Sequence, residues 1–169
     1  MISIVSDTGP LVHLSEAESL DLLRLAGQVH IPSSVAIEAE RYLTAWRIGQ
    51  PAWITITELF EPNLNEAQEW QQSGLLDRGE AEALALSRQL NANWFLTDDT
   101  AARVMAASLG IEAHGSLGLV LWAAAARHLK RDAAEQKLDA LAASSLWISA
   151  SVVTEAKAAL NRLFTPAKD

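Results

Sequence analysis

The sequence predicts an α/β fold whose central sheet is mostly parallel and holds about four or five strands, followed by C-terminal helices. Two observations carry this expectation. Short β-branched or aromatic runs alternate with longer stretches of helical periodicity. The chain of 169 residues is half hydrophobic and lacks a Gly/Ser-rich or Pro-rich linker, which predicts a single domain over 1–169 that buries roughly 70% of its unfolded surface.

The elements follow in order. Ile2 to Val5 is β-branched and ends at Ser6-Asp7-Thr8-Gly9-Pro10, after which apolar residues recur from Leu11 to Leu25 as one helix or two short ones, stopped by Gly27. Pro10 is expected to begin that helix, and Asp7 or Thr8 to cap it unless Asp7 does chemistry. Gln28 to Ile31 reads as a second strand closed by Pro32, with Ser33 or Ser34 capping a helix that reaches about Trp46. Trp53 to Thr57 alternates as a third strand, and Asn65 caps a short helix through Trp70. A strong helix runs from Glu80 to Leu90. Trp94-Phe95-Leu96-Thr97 is a fourth strand that stops at Asp98-Asp99, and an Ala-rich helix occupies 101–109. Ile111 to Ala113 is a short fifth strand, Gly115-Ser116 introduces an apolar helix ending near Arg127, and residues 130–165 form a helical extension packed on the same core.

Composition narrows the function. The chain has no cysteine, which excludes a disulfide framework, a thiol nucleophile and cysteine-held zinc, and fits a reducing cytoplasm. No basic and apolar leader precedes Asp7, and the apolar run 117–126 is too short to cross a bilayer, so neither export nor a membrane role is expected. A formal net charge of −8 opposes broad attraction to nucleic-acid phosphates, unless several acids converge on a divalent cation that reverses the local field.

The acids stand at comparable places. In a doubly wound sheet the first and fourth strands can be neighbours, which brings Asp7 and the Asp98-Asp99 pair to one crevice at the carboxyl ends of the strands. Glu38 and Glu80 then point in from helices. Glu40 and Glu82 are two residues further on, and residues two apart on a helix face different ways, so only one of each pair can reach a shared site. Each acid also has an ordinary explanation as a cap, a dipole partner or a solvated charge. Clustered carboxylates repel one another without a cation, whereas Mg²⁺ or Mn²⁺ takes oxygen ligands and can activate water for attack on a phosphodiester.

The residues Ser6-Asp7-Thr8-Gly9-Pro10-Leu11, Ile31-Pro32-Ser33-Ser34-Val35-Ala36-Ile37-Glu38, Gly79-Glu80-Ala81-Glu82-Ala83 and Leu96-Thr97-Asp98-Asp99 with Ala102-Arg103 resemble, in order and spacing, the PIN-domain family, in particular its small prokaryotic VapC-like toxins. Gly115-Ser116-Leu117-Gly118 is also similar to a stretch found in one PIN subgroup. The resemblance implies a PIN-like α/β/α sandwich and a metal-dependent ribonuclease using Mg²⁺ or Mn²⁺. Its acidic quartet falls on Asp7, Glu38, Glu80 and Asp99, with Asp98 the alternative in the fourth place. Many PIN nucleases carry Asp at the third place, where this chain has Glu80 with Glu82 close by. The family often forms homodimers and is commonly produced with a small antitoxin, so both partners are expected beside an RNA substrate.

Other residues carry secondary roles. Thr8 and Thr97 sit beside proposed ligands and can hydrogen-bond a carboxylate or cap a helix. Arg103 can meet a phosphate, although an i, i+4 ion pair with Asp99 is the preferred reading. Arg127, His128, Lys130 and Arg131 form a basic cluster that could bind RNA or an acidic partner, although solvated helix-end cations are the commoner reading; the six tryptophans could stack on bases, but core packing is expected for most of them. Two rivals remain: a non-catalytic PIN-like module, which fits the net charge, and an aspartic peptidase, suggested by Asp7-Thr8-Gly9 but opposed by the helices around it.

Overall fold

The computed structural model describes residues 1–167. Five strands form one sheet in the order β3-β2-β1-β4-β5, all parallel: β1 (Ile2–Ser6), β2 (Gly27–Ile31), β3 (Ile54–Ile56), β4 (Trp94–Leu96) and β5 (Ala113–His114). The chain builds outward from β1 to β3, then crosses back to lay β4 on the other side of β1. The strand order therefore reverses at β1 and β4, which is where a crevice opens at the carboxyl edge of such a sheet. Ile4 and Val5 of β1 and Phe95 and Leu96 of β4 are fully buried, each side chain contributing about 1.5–3 kcal/mol by leaving water.

Helices α1 (Thr8–Glu16) and α2 (Asp21–Ala26) are separate because Glu18 adopts a left-handed backbone with φ 51° and the Ser19 hydroxyl donates to the carbonyl of Ala17. Helix α1 starts at Thr8 rather than at Pro10, and its N-cap is Asp7 itself, whose Oδ1 accepts from Thr8 N at 2.7 Å. Helix α3 spans Ser33–Tyr42 and stops short of the expected Trp46. Leu43 turns extended there, and a 3-10 turn over Thr44–Arg47 swings Trp46 into the core.

The remaining helices are α4 (Asn63–Gln72), α5 (Arg78–Gln89), α6 (Thr100–Ser108), α7 (Ser116–Ala125), α8 (Arg131–Ala142) and α9 (Ala150–Phe164). Helix α7 is apolar nearly all round because it lies between α2 and the C-terminal pair α8 and α9, with α8 also reaching α1. The basic segment after α7 is spent on this packing: the Arg127 guanidinium lies 4.7 Å from the centre of the Phe164 ring, and Arg131 donates to Asn161 and pairs with Asp132. No helix among the described residues is long and apolar enough to cross a membrane.

Candidate functional site

The register of the central strands places Ser6 opposite Leu96, so the residues that follow, Asp7 and Thr97, leave the sheet side by side. Asp7 N donates to the carbonyl of Leu96 at 2.9 Å, and the buried Thr97 hydroxyl donates to Asp7 Oδ2 at 3.1 Å. The same hydroxyl accepts from Asp99 N at 3.2 Å, while Asp99 Oδ1 caps α6 by accepting from Ala102 N. Asp7 and Asp99 are thus both helix caps and both lining residues of one crevice of about 540 Å³. Capping and exposure to the crevice do not compete, because a carboxylate that accepts one or two hydrogen bonds still has lone pairs to present elsewhere.

Helices α3 and α5 close the sides. Glu38 is half-buried and its Oε2 accepts from the Thr8 hydroxyl at 2.9 Å, whereas Glu40 is exposed. Glu80 faces the crevice, and Glu82 turns away to pair with Arg78 at 2.9 Å. Gly79 permits this approach: a Cβ there would stand 2.8 Å from Glu38 Oε2, so any side chain would push the Glu38 carboxylate off its place.

Asp98 is differently employed. Its Oδ1 accepts from Ser116 N at 2.6 Å, and its Oδ2 accepts from the Ser116 hydroxyl at 2.6 Å and from His13 Nδ1 at 2.7 Å. It reaches the crevice wall, but its oxygens are committed to joining α1 and α7 to the end of β4. The ion pair expected between Asp99 and Arg103 is absent among the described residues, because Asp99 is turned toward the first turn of α6. Arg103 lies instead against Gly115, in a neighbouring cavity.

Asp77 joins the crevice and was missed by sequence reasoning. It caps α5 through Glu80 N at 2.8 Å while Glu80 Oε2 accepts from Asp77 N at 3.0 Å, a reciprocal capping box whose signature, Asp three residues before Glu, is visible in the chain. The partnership of His13 with Asp98 had no such signal, since it spans 85 residues. Trp147 also lines the crevice and is 88% exposed, the exception among tryptophans that otherwise pack in or against the core as expected for most of them.

Crowding of acids shows in their titration. Burial, then the charges of Glu80 and Asp77, push Asp7 up to about 7, against the lowering effect of its bonds from Thr8 and Thr97. Burial, with the charges of Asp77 and Asp99, pushes Glu80 up to about 7. Among the described residues no three acids or histidines stand in ready coordinating geometry: Glu38 is turned to the Thr8 hydroxyl of α1, and Glu80 and Asp99 to backbone N–H groups at the starts of α5 and α6. The donor set nevertheless suits a hard divalent cation: it is all oxygen, and the raised Asp7 and Glu80 would be held in their charged forms by a cation between them.

An all-parallel sheet with helices on its faces and acids gathered at the switch point defines an α/β protein with an acidic crevice at the carboxyl ends of its central strands. The PIN domain family DUF3368 matches residues 3–162, and the chain belongs to this family. PIN domains are generally nucleases and typically use divalent metals. No curated protein matches the chain.

Proposed function

We propose that this protein is a Mg²⁺- or Mn²⁺-dependent endoribonuclease, the toxin of a toxin–antitoxin pair, acting as one domain in the cytoplasm and as a homodimer. The observation that carries the reading is the convergence of Asp7, Glu38, Glu80 and Asp99 on one crevice, with Asp7 and Glu80 both raised toward neutrality. The toxin role, the antitoxin and the dimer rest on the resemblance to VapC-like proteins.

Asp7 and Asp99 would hold the cation, with Glu38 and Glu80 at its flanks. A bound divalent ion supplies an activated water and offsets charge at the scissile phosphate. The chain's own contribution is placement. Thr97 orients Asp7 by its hydroxyl and Asp99 by accepting its N–H, so the two carboxylates keep a fixed separation. Thr8 orients Glu38, and Asp77 orients Glu80. Burial of Asp7 keeps water from competing for its oxygens.

A second reading, a PIN-like binding module without turnover, is favoured by one observation: Glu38, Glu80 and Asp99 each hold a hydrogen-bond partner already and, among the described residues, do not form a ready cage. One experiment separates the two. The purified protein, free of any partner, is incubated with end-labelled RNA in EDTA, Mg²⁺ or Mn²⁺. Cleavage that requires the metal and drops at least a hundredfold in Asp7→Asn is expected. Cleavage unchanged in that variant, or none with either metal, would leave the binding module as the better account.

A further inference from the structure

The segment after α8 is built as a wall beside the crevice. Ser145 donates to Glu16 twice, from its backbone N–H at 2.6 Å and from its hydroxyl at 2.7 Å, and the bond from the Ser145 N–H is the main reason the Glu16 carboxyl is held below its usual range. The Ser144 hydroxyl donates to the carbonyl of Leu141 and accepts from Leu146 N. This pinned stretch carries Trp147, whose side chain is 88% exposed although it belongs to an ordered segment. Single exposed apolar residues are ordinary on protein surfaces. Trp147 differs in position: it forms part of the acidic crevice on one side and of a second cavity of about 230 Å³ on the other.

That second cavity contains Arg103, the one Lys or Arg among the described residues that line either space. Among the described residues Arg103 forms no ion pair. Its Nη1 rests against Gly115, where a Cβ would stand 3.3 Å away, so the absent side chain leaves the guanidinium room. An exposed indole and a guanidinium without an ion pair thus flank the same cavity, which shares Asp98 with the acidic crevice.

On the reading of the crevice as a ribonuclease site, we propose that Trp147 and Arg103 form a nucleotide subsite beside it, with the indole stacking on a base of single-stranded RNA and Arg103 binding the adjoining phosphate. The net charge of −8 is why the subsite must be local. A protein without a broad positive field must draw single-strand affinity from stacking, which is indifferent to net charge and to base sequence, and from a few local cations.

The test uses the full chain carrying Asp7→Asn, so that bound RNA is not cut. A fluorescein-labelled oligouridylate and a backbone of the same length with abasic sites are titrated onto this protein and onto its Trp147→Ala, Trp147→Phe and Arg103→Gln derivatives. Trp147→Ala is expected to weaken oligouridylate binding about tenfold and leave the abasic strand unaffected, with Trp147→Phe recovering most of the loss. Arg103→Gln is expected to weaken both strands alike and to reduce the salt slope by about 0.7. In the otherwise unmodified enzyme, Trp147→Ala should raise KM with little change in kcat.

Equal binding of oligouridylate by Trp147→Ala and its parent overturns the subsite, while Asp7-dependent cleavage by the unmodified protein keeps the ribonuclease reading intact. Loss of self-association on Trp147→Ala with RNA binding unchanged also overturns it, and makes the surface a contact between copies. If no variant binds RNA and the unmodified protein does not cleave it, both readings fall together.

Discussion

The hydroxyl of Thr97, at the end of β4, donates to Oδ2 of Asp7, at the end of β1, across 3.1 Å. Because it also accepts from Asp99 N, one buried oxygen ties the Asp7 carboxylate to the backbone that carries Asp99. Thr97→Val keeps the shape and removes this link. It should cost about 1 kcal/mol of stability and lower Mn²⁺ affinity about 10- to 100-fold, with Thr97→Ser retaining most function; thermal melts and metal titrations check both.

The raised Asp7 makes the site a source of instability. Its carboxyl binds a proton up to about pH 7 in the fold but only below about 4 when unfolded, so the folded state holds more protons across that window. Stability therefore falls as pH rises from about 4 to 7 and levels off above it. Asp7→Asn should raise Tm by about 5–10 °C at pH 8 and by less than half as much at pH 5, while abolishing cleavage. Mn²⁺ should stabilise the native sequence more at pH 8 than at pH 5, and should leave Asp7→Asn unmoved in differential scanning fluorimetry.

Asp98 and Asp99 are adjacent but should fail in opposite ways. Asp98→Ala strips His13 and Ser116 of a shared partner and is expected to lose about 3 kcal/mol of stability while retaining metal-dependent cleavage at low temperature. Asp99→Ala loses only a helix cap, about 1 kcal/mol, and is expected to lose cleavage a hundredfold or more. Chemical denaturation and RNA cleavage measured on both variants distinguish the two roles.

Gly79→Ala introduces a Cβ 2.8 Å from Glu38 Oε2, a position that nothing but a shift of Glu38 or of α5 can relieve. The bond from Thr8 to Glu38 should be lost and kcat should fall about tenfold, with the fold retained by circular dichroism.

Much of the fold was legible because its signals are local. Helical spacing from Leu11, the β-branched Ile2 to Val5 and the compact run Trp94 to Leu96 each report their own element. What stayed open or missed lay where one residue diverts the chain: the left-handed Glu18 decides for two short helices, α1 and α2, over one, and the extended Leu43 ends α3 before Trp46, which it buries. At the site, the capping pair Asp77 and Glu80 was written three residues apart and was still passed over. The division of labour between Asp98 and Asp99 was not written locally at all, for it depends on His13 and Ser116 arriving from α1 and α7.

By itself the sequence determined which segments are strands and helices, that acids follow the first and fourth strands, and that the chain resembles PIN domains. Only the tertiary structure decided that Glu80 rather than Glu82 faces the crevice, that Asp98 is held by His13 and Ser116, and that Trp147 stands exposed next to Arg103. The reason is physical: caps and periodicity are interactions between near neighbours, whereas these choices depend on parallel register and on crossovers that bring together residues far apart in the chain.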